Sequence, residues 1–458
     1  MSANHAASTN YLRALKNALT GSDSKQLVLL CNFEAELHWA RNYIGLPGLD
    51  PGPSAAIVQR MEELGCLLAG RDDVLILKYP LDRDYEAYLS RVGLPLPTVA
   101  VPENVVPGRT TTEDVLDSPI LLDRLSRLAR DGALLLPMAT TVAEQELAGK
   151  CGLPLAVPGA ATFERVNSKI YGRRLCRDAG IRPVPGHCCE SVTELAEILH
   201  GYRPTLEAGG RVVVKEAFGV SGKGLVVLDQ PVRADQLLRI IQRRAARRAD
   251  SRLHLVVEEW IGRRYDLNYQ VTISRDGGMN LDFIKVALTE NGVHRGYVMP
   301  APLTREQRGE IGSAAVEVSK RLHADGFFGV AGIDAIVGAD NTIYPVLEIN
   351  ARLNMSTYQG SVLELHQPTG YIALAKHYSL RTREPLAFDQ VTRALGQLLE
   401  PSGSQYLIIT CFGTVNAKAG FGLAGEGRLH AILFAPNQPR LAALDNAVRI
   451  MLSHLCDG

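Results

Sequence analysis

Short apolar runs alternate with amphipathic stretches along the first third of the chain. KQLVLLCNF (25–33), DVLILKY (73–79), TVAVP (98–102) and GALLLPM (132–138) read as strands buried on both faces. Between them, AAIVQRMEELGCLLAG (55–70) and SPILLDRLSRLARDG (118–132) carry helical periodicity, and YLRALKNAL (11–19) forms a short helix after a polar start. Strand–helix alternation at this spacing predicts an α/β unit with a mostly parallel sheet over roughly residues 25–150. No G-x-G-x-x-G follows its first strand, so it is not read as a dinucleotide site.

A second texture begins near Val166. NSKIYGRRLCRDAGI is an amphipathic helix ending at Gly180, with Pro183 and Pro185 beyond it, and SVTELAEILHGY is another. RVVVKEAF is a strand, followed by the glycine-rich GVSGKGLVVL, a long helix over 233–250 and the strand LHLVVEEWI. From 266 to 300 the pattern turns to period two, in LNYQVTI, LDFIKVAL and HRGYVM, which predicts antiparallel sheet. A helix over 305–326 precedes two strands, FFGVAGIDAIV and TIYPVLEINARL, that flank a turn at 338–341. From about 370 the reading is a helix, then LIITCF, a turn at VNAKAG, HAILFA and a final helix.

Composition narrows the class. With 458 residues the chain holds more than one core. Its 49 basic and 49 acidic residues balance, which argues against a dedicated nucleic-acid binder. The start shows no basic region followed by an apolar run, and no apolar stretch reaches membrane-spanning length; a cytoplasmic protein without a membrane partner is expected. Eight cysteines without a C-x-x-C pair read as reduced, structural thiols.

Chemistry gathers in the middle of the chain. Gly219-Val220-Ser221-Gly222-Lys223-Gly224 lies between two strands, so it is not a P-loop, whose glycines open a helix. Such a loop makes either a plain hairpin turn or a flap whose amides face phosphate oxygens. Lys215 at the preceding strand end and Lys169 at a helix entry bracket it as charge partners for a triphosphate. Glu348 and Asn350, two apart on a strand, face one side, with Asp334 on the expected neighbouring strand. Three oxygen-bearing side chains at a sheet end call for a hard cation, Mg²⁺ or Mn²⁺. Arg352 reaches the same place as a forked cation for a carboxylate or a transferring phosphoryl group.

Taken together, these residues resemble the ATP-grasp superfamily over roughly 150–365. The family order is a lysine, a second lysine with a glycine flap, an adenine hinge and an Asp…Glu-x-Asn metal set. Here these are Lys169, Lys215 with Gly219 to Gly224, Glu258-Glu259-Trp260-Ile261, and Asp334…Glu348-Ile349-Asn350. The resemblance implies that the hinge backbone holds adenine and that Asp266 lies near the ribose. D-alanine–D-alanine ligases carry an arginine where this chain has Gly332; the arginine stands instead at Arg352, as in the biotin carboxylase branch. EINARLNMSTYQ and the preceding α/β unit resemble the pre-ATP-grasp group, which includes pheganomycin-type peptide ligases and a butirosin-type amino acid–carrier protein ligase.

That implies an α/β ATP-grasp fold with an N-terminal parallel-sheet pre-ATP-grasp domain (1–150). A small subdomain with flap and hinge (151–265), a metal-bearing sheet (266–365) and a C-terminal α+β extension (366–458) follow. The implied activity is an ADP-forming carboxylate–amine ligase using ATP, with Lys215 and Arg352 catalytic, on small-molecule, peptide or carrier-bound substrates, and a homodimer is a family-level expectation. A phosphotransferase and a nucleotide-binding regulatory module remain as rivals. The basic run QRRAARRADSR (242–252), followed by Arg263 and Arg264, is either a solvated face or a dock for an acidic carrier protein or an anionic substrate.

Overall fold

The computed structural model describes residues 8–39, 43–47, 55–219, 224–290, 293–418 and 425–456. The first sheet is parallel and contains β1 (Leu27–Leu30), β2 (Val74–Ile76), β3 (Thr98–Ala100) and β4 (Leu134–Pro137), in the order β3-β2-β1-β4. All four residues of β1 are buried, and its alternate side chains serve two cores. Val28 and Leu30 pack under the helices Pro119–Arg130 and Val142–Cys151, while Leu27 and Leu29 join the large common core. Covering on both faces explains why these strands are unbroken apolar runs.

A second, antiparallel sheet holds β5 (Gly186–Ser191), β6 (Val212–Glu216), β7 (Leu225–Leu228) and β8 (Arg252–Glu259), in the order β5-β8-β6-β7. The helices Val192–Gly201 and Pro231–Arg248 cover its apolar side. β5 was not expected, since GHCCES has no apolar alternation; it is an edge strand defined by its pairing to β8.

The third sheet has eight antiparallel strands: β9 (Arg263–Ile273), β10 (Met279–Glu290), β11 (Val293–Met299), β12 (Gly329–Gly338), β13 (Ile343–Asn350), β14 (Ile372–Thr382), β15 (Tyr406–Cys411) and β16 (Gly425–Ala435). Their order is β13-β12-β9-β10-β11-β14-β16-β15. β14 corrects the expectation of a helix from about 370: the helix begins only at Phe388. YIALAKHYSLRT fills the gap between β11 and β16 and pairs in register with both, so tertiary pairing overrides its local helix propensity. The strands of 366–458 thereby continue the sheet of 266–365.

Long-range ties join N-terminal segments to later elements of the chain. Glu364 of the helix Met355–His366 accepts from the backbone N–H groups of Asn10 (2.9 Å) and Tyr11 (2.7 Å), capping the first helix, Asn10–Thr20. Two arginines of the basic run hold the segment 43–47: Arg244 donates to the carbonyl of Gly45 (2.7 Å) and Arg248 to that of Tyr43 (3.1 Å). This local role accounts for part of the arginine excess. All eight cysteines are free thiols. Among the described residues, no helix is long and apolar enough to cross a membrane.

Candidate active site

Strand register assembles the acidic floor. Asp334 on β12 lies directly opposite Glu348 on β13 and, on its other side, opposite Asn268 on β9. Opposite residues share a face, so the three side chains form a row, and Asn350 projects beside them two residues beyond Glu348. Asn268 donates to Asp334 Oδ1 (2.9 Å) and Asn350 to Oδ2 (3.3 Å). Burial, and then the Glu348 carboxylate, push Asp334 up to about 6. Two carboxylates and an amide oxygen, packed so that one acid is driven toward protonation, fit a hard divalent cation by donor chemistry. Among the described residues, no cluster of three or more His, Cys, Asp or Glu side chains is placed to hold a metal. The candidate set therefore depends on Asn350.

Cations ring this floor. Lys169 Nζ lies 2.8 Å from Glu348 Oε1 and donates to the carbonyl of Gly219 (3.0 Å), so one ammonium joins the acidic row to the base of the glycine loop. Its backbone N–H donates to the Ala217 carbonyl (3.0 Å), which fixes the helix entry against the end of β6. Arg352 is largely buried, and each of its three guanidinium nitrogens makes a hydrogen bond. Nε donates to Glu36 Oε1 (2.5 Å), Nη2 to Asn350 Oδ1 (3.0 Å) and Nη1 to the Leu353 carbonyl (3.3 Å). Burial opposes that charge, but Glu36, Glu348 and Asp334 outweigh it and raise the pKa. Glu36 comes from the N-terminal domain.

Lys215 behaves differently from its reading as a free phosphate partner. It lies on the face of β6 that meets Glu258 on β8, and Nζ sits 2.6 Å from Glu258 Oε2. Arg173 Nη1 takes Oε1 of the same carboxylate at 2.7 Å, and its Nη2 bonds the carbonyls of Val184 and Gly186. The Glu258 side chain is thus an ion-pair hub under the cleft and is spent on positioning Lys215. Removing one member of such a buried group leaves an uncompensated charge, a loss of about 3–5 kcal/mol.

Gly219, Gly224 and the hinge lie on the upper side. Gly219 and Gly224 flank the loop; Ser221, Gly222 and Lys223 lie outside the described residues. Gly224 has φ 75°, and a Cβ there would come within 3.0 Å of Glu216 Oε2, so the loop exit requires glycine. Glu259 donates its backbone N–H to the Pro185 carbonyl and Trp260 to that of Arg211, both at 2.9 Å. The Trp260 ring has the guanidinium carbons of Arg263 at 4.6 Å and Arg211 at 5.3 Å. Asp266 accepts from Arg263 (2.7 Å) and from Thr289 (2.8 Å).

Every predicted site residue among the described ones lines a single cleft of about 380 Å³: Lys169, Lys215, Gly219, Gly224, Glu258, Glu259, Trp260, Ile261, Asp266, Asp334, Glu348, Asn350 and Arg352. Its walls come from β6, β8, Gly219 and Gly224 on one side and from β9, β12 and β13 on the other. Sequence reasoning missed Asn268, Arg173 and Glu36. Asn268 was findable from alternation, since Asn268, Gln270 and Thr272 take one face of β9 opposite the apolar Leu267, Tyr269, Val271 and Ile273; Glu36 carries no such signal, because its contact spans 316 positions.

Comparison with known proteins bears on the family and the fold. Residues 61–153 match the model of the pre ATP-grasp domain, and residues 170–364 that of the carbamoyl-phosphate synthase L chain, ATP binding domain. The [butirosin acyl-carrier protein]–L-glutamate ligase of Niallia circulans is 26% identical over 343 residues, covering 73% of this chain and 74% of that protein. Among solved structures, biotin carboxylase from Campylobacter jejuni, bound to a β,γ-ATP analogue, has TM-score 0.54 and 11% identity, covering 93% of this chain and 95% of its own. N5-carboxyaminoimidazole synthase from Aspergillus clavatus, in complex with ADP and an aminoimidazole ribonucleotide, has TM-score 0.52 and 13% identity, covering 93% and 99%. At such identities these two structures speak to fold alone.

Proposed function

This chain is an ATP-grasp ligase, and on that premise we propose that it activates a carboxylate as an acyl phosphate and passes the acyl group to an amine. The observation that carries the reading is the meeting of Lys169, the Asp334–Glu348–Asn350 row and Arg352 in one cleft beneath the glycine loop. Asp334, Glu348 and Asn350 would hold Mg²⁺ or Mn²⁺, which would supply positive charge against the charge of the reacting phosphoryl group. Lys169, at the base of the loop, faces the phosphates. Lys215, held by Glu258, supplies a second positive charge on the loop side. The hinge from Glu259 to Ile261 offers backbone to adenine, and Asp266 with Thr289 offers acceptors to ribose.

Catalysis in this reading is positioning and electrostatics. The donor carboxylate attacks the γ-phosphoryl group; ADP leaves; Arg352, held by Glu36 and Asn350, meets the charge that develops on the acyl phosphate. An amine then displaces phosphate, and no covalent enzyme nucleophile takes part. Closure of the glycine loop would keep water from the intermediate. A second reading, transfer to a carrier-protein thiol, draws on the printed activity of the Niallia circulans relative.

The test is ADP release from Mg-ATP with pooled amino acids and short peptides, with hydroxylamine as acceptor. Hydroxamate should appear with particular acids and name the donor. A stable phosphorylated product, or no carboxylate-dependent ADP in any pool, would contradict the reading.

A further inference from the structure

One short stretch of chain ties the two walls of the cleft together. On the wall of β9, β12 and β13, Arg352 is held by Glu36, in the short helix Ala35–His38 that follows β1. Ten positions further along, Leu46 donates its backbone N–H to Glu216 Oε1 (2.6 Å), at the end of β6 on the other wall. Both are charge-assisted contacts.

Side chains of the same stretch grip the second sheet. Ile44 and Leu46 are buried and pack with Val212 and Val214 beneath the helices Val192–Gly201 and Pro231–Arg248. The Tyr43 ring lies 4.3 Å from that of His254 on β8, and Trp39 lies 6.2 Å from Phe218, the neighbour of Gly219. With Arg244 and Arg248 on the carbonyls of Gly45 and Tyr43, an N-terminal segment is built into the core of the small sheet.

Glu216 is where this grip meets the cleft. On β6 it shares a face with Val212 and Val214, while Lys215 faces the other way, into the cleft. Its backbone N–H donates to the Gly224 carbonyl (2.7 Å), so its place also sets that of a second cleft residue. The carboxylate is closely seated. A Cβ on Gly45 would stand 3.0 Å from Oε1, and one on Gly224 would stand 3.0 Å from Oε2.

We propose that Glu216 is a positioning residue: through Leu46 and the chain back to Glu36, it fixes Lys215 on one wall relative to Arg352 on the other. The inference rests on the ligase reading above and extends it. A misplacement of about 1 Å between groups that act on one intermediate costs up to about 10²-fold, and water admitted to a loosened cleft hydrolyses an acyl phosphate. Loss of the contact therefore releases ADP without product.

The experiment compares the full-length wild type with Glu216→Ala, Glu216→Gln, Gly45→Ala and the double variant Gly45→Ala/Glu216→Ala. With the donor acid found above and hydroxylamine, the quantity read is ADP released per hydroxamate formed, alongside kcat for ADP release and a thermal melt. Glu216→Ala should raise that ratio about fivefold or more, while ADP release at saturating ATP falls less than about twofold. Glu216→Gln offers Leu46 the same acceptor atom and should return the ratio to within about twofold of wild type. Gly45→Ala crowds the carboxylate and should raise the ratio about twofold; combined with Glu216→Ala it should add nothing, because both act on one contact. If Glu216→Ala fails to fold, Gly45→Ala decides. An unmoved ratio, a Gln variant no better than Ala, or effects that multiply in the double variant overturn the positioning role alone; a merely structural Glu216 would lower the melting temperature and both rates together. A wild type that forms no hydroxamate overturns the ligase reading, and this role with it.

Discussion

Glu348→Gln should lower turnover about 10³-fold while ATP affinity changes little, because it removes a charge needed only as negative charge moves between phosphate and carboxylate. Its effect on stability should be small, for a reason visible in the site. Burial, and then the opposing Glu348 carboxylate, raise the pKa of Asp334 to about 6 from the ordinary aspartate value of 3.8. A carboxyl whose folded pKa is raised holds its proton longer in the folded state than in the unfolded chain. Its contribution is therefore best below 3.8 and is lost as pH climbs toward about 6 and beyond. Neutralising Glu348 relieves its share of that penalty, though not the larger share due to burial, and also gives up the pair with Lys169 at 2.8 Å. These effects oppose each other, so the melting temperature should move by no more than about 3 °C. Nucleotide titration, single-turnover kinetics and a melt at pH 7.5 check this. Retained turnover, or a loss that follows unfolding, would remove Glu348 from the metal role.

Arg352→Lys should cost about 10²–10³-fold in kcat/KM, or about 3–4 kcal/mol, although the charge is kept. The guanidinium bonds Glu36, Asn350 and the Leu353 carbonyl in three directions at once, a fork that a lysine ammonium on a flexible stem cannot reproduce. The loss should fall mainly on kcat, with the KM for ATP changing less than about threefold, since Arg352 is placed to meet charge that appears in the transition state. A variant with wild-type kcat would show that Arg352 only ties the N-terminal domain to the sheet.

Much of the site was legible because local rules govern it. Alternation placed Glu348 and Asn350 on one face, and the strand–turn–strand pattern at 338–341 brought Asp334 opposite Glu348. The parallel sheet was legible for a similar reason: doubly covered strands must be apolar throughout. What was hidden depends on partners distant in sequence. β14 was read as helix because its strand character is supplied by β11 and β16, and β5 was missed because a polar edge strand carries no period. Glu258 was assigned to the hinge, and only the fold shows its carboxylate between Lys215 and Arg173. Glu36 lies in the short helix Ala35–His38 after β1, and its meaning appears only once that helix is set against Arg352.

The most direct test of the central claim follows oxygen. With a donor acid carrying ¹⁸O in its carboxylate, Mg-ATP and an amine acceptor, one labelled oxygen should be found in the phosphate released with ADP, because the carboxylate oxygen that attacks phosphorus leaves with it. Label appearing in AMP, or phosphate released without label as product forms, would contradict acyl-phosphate chemistry in this cleft.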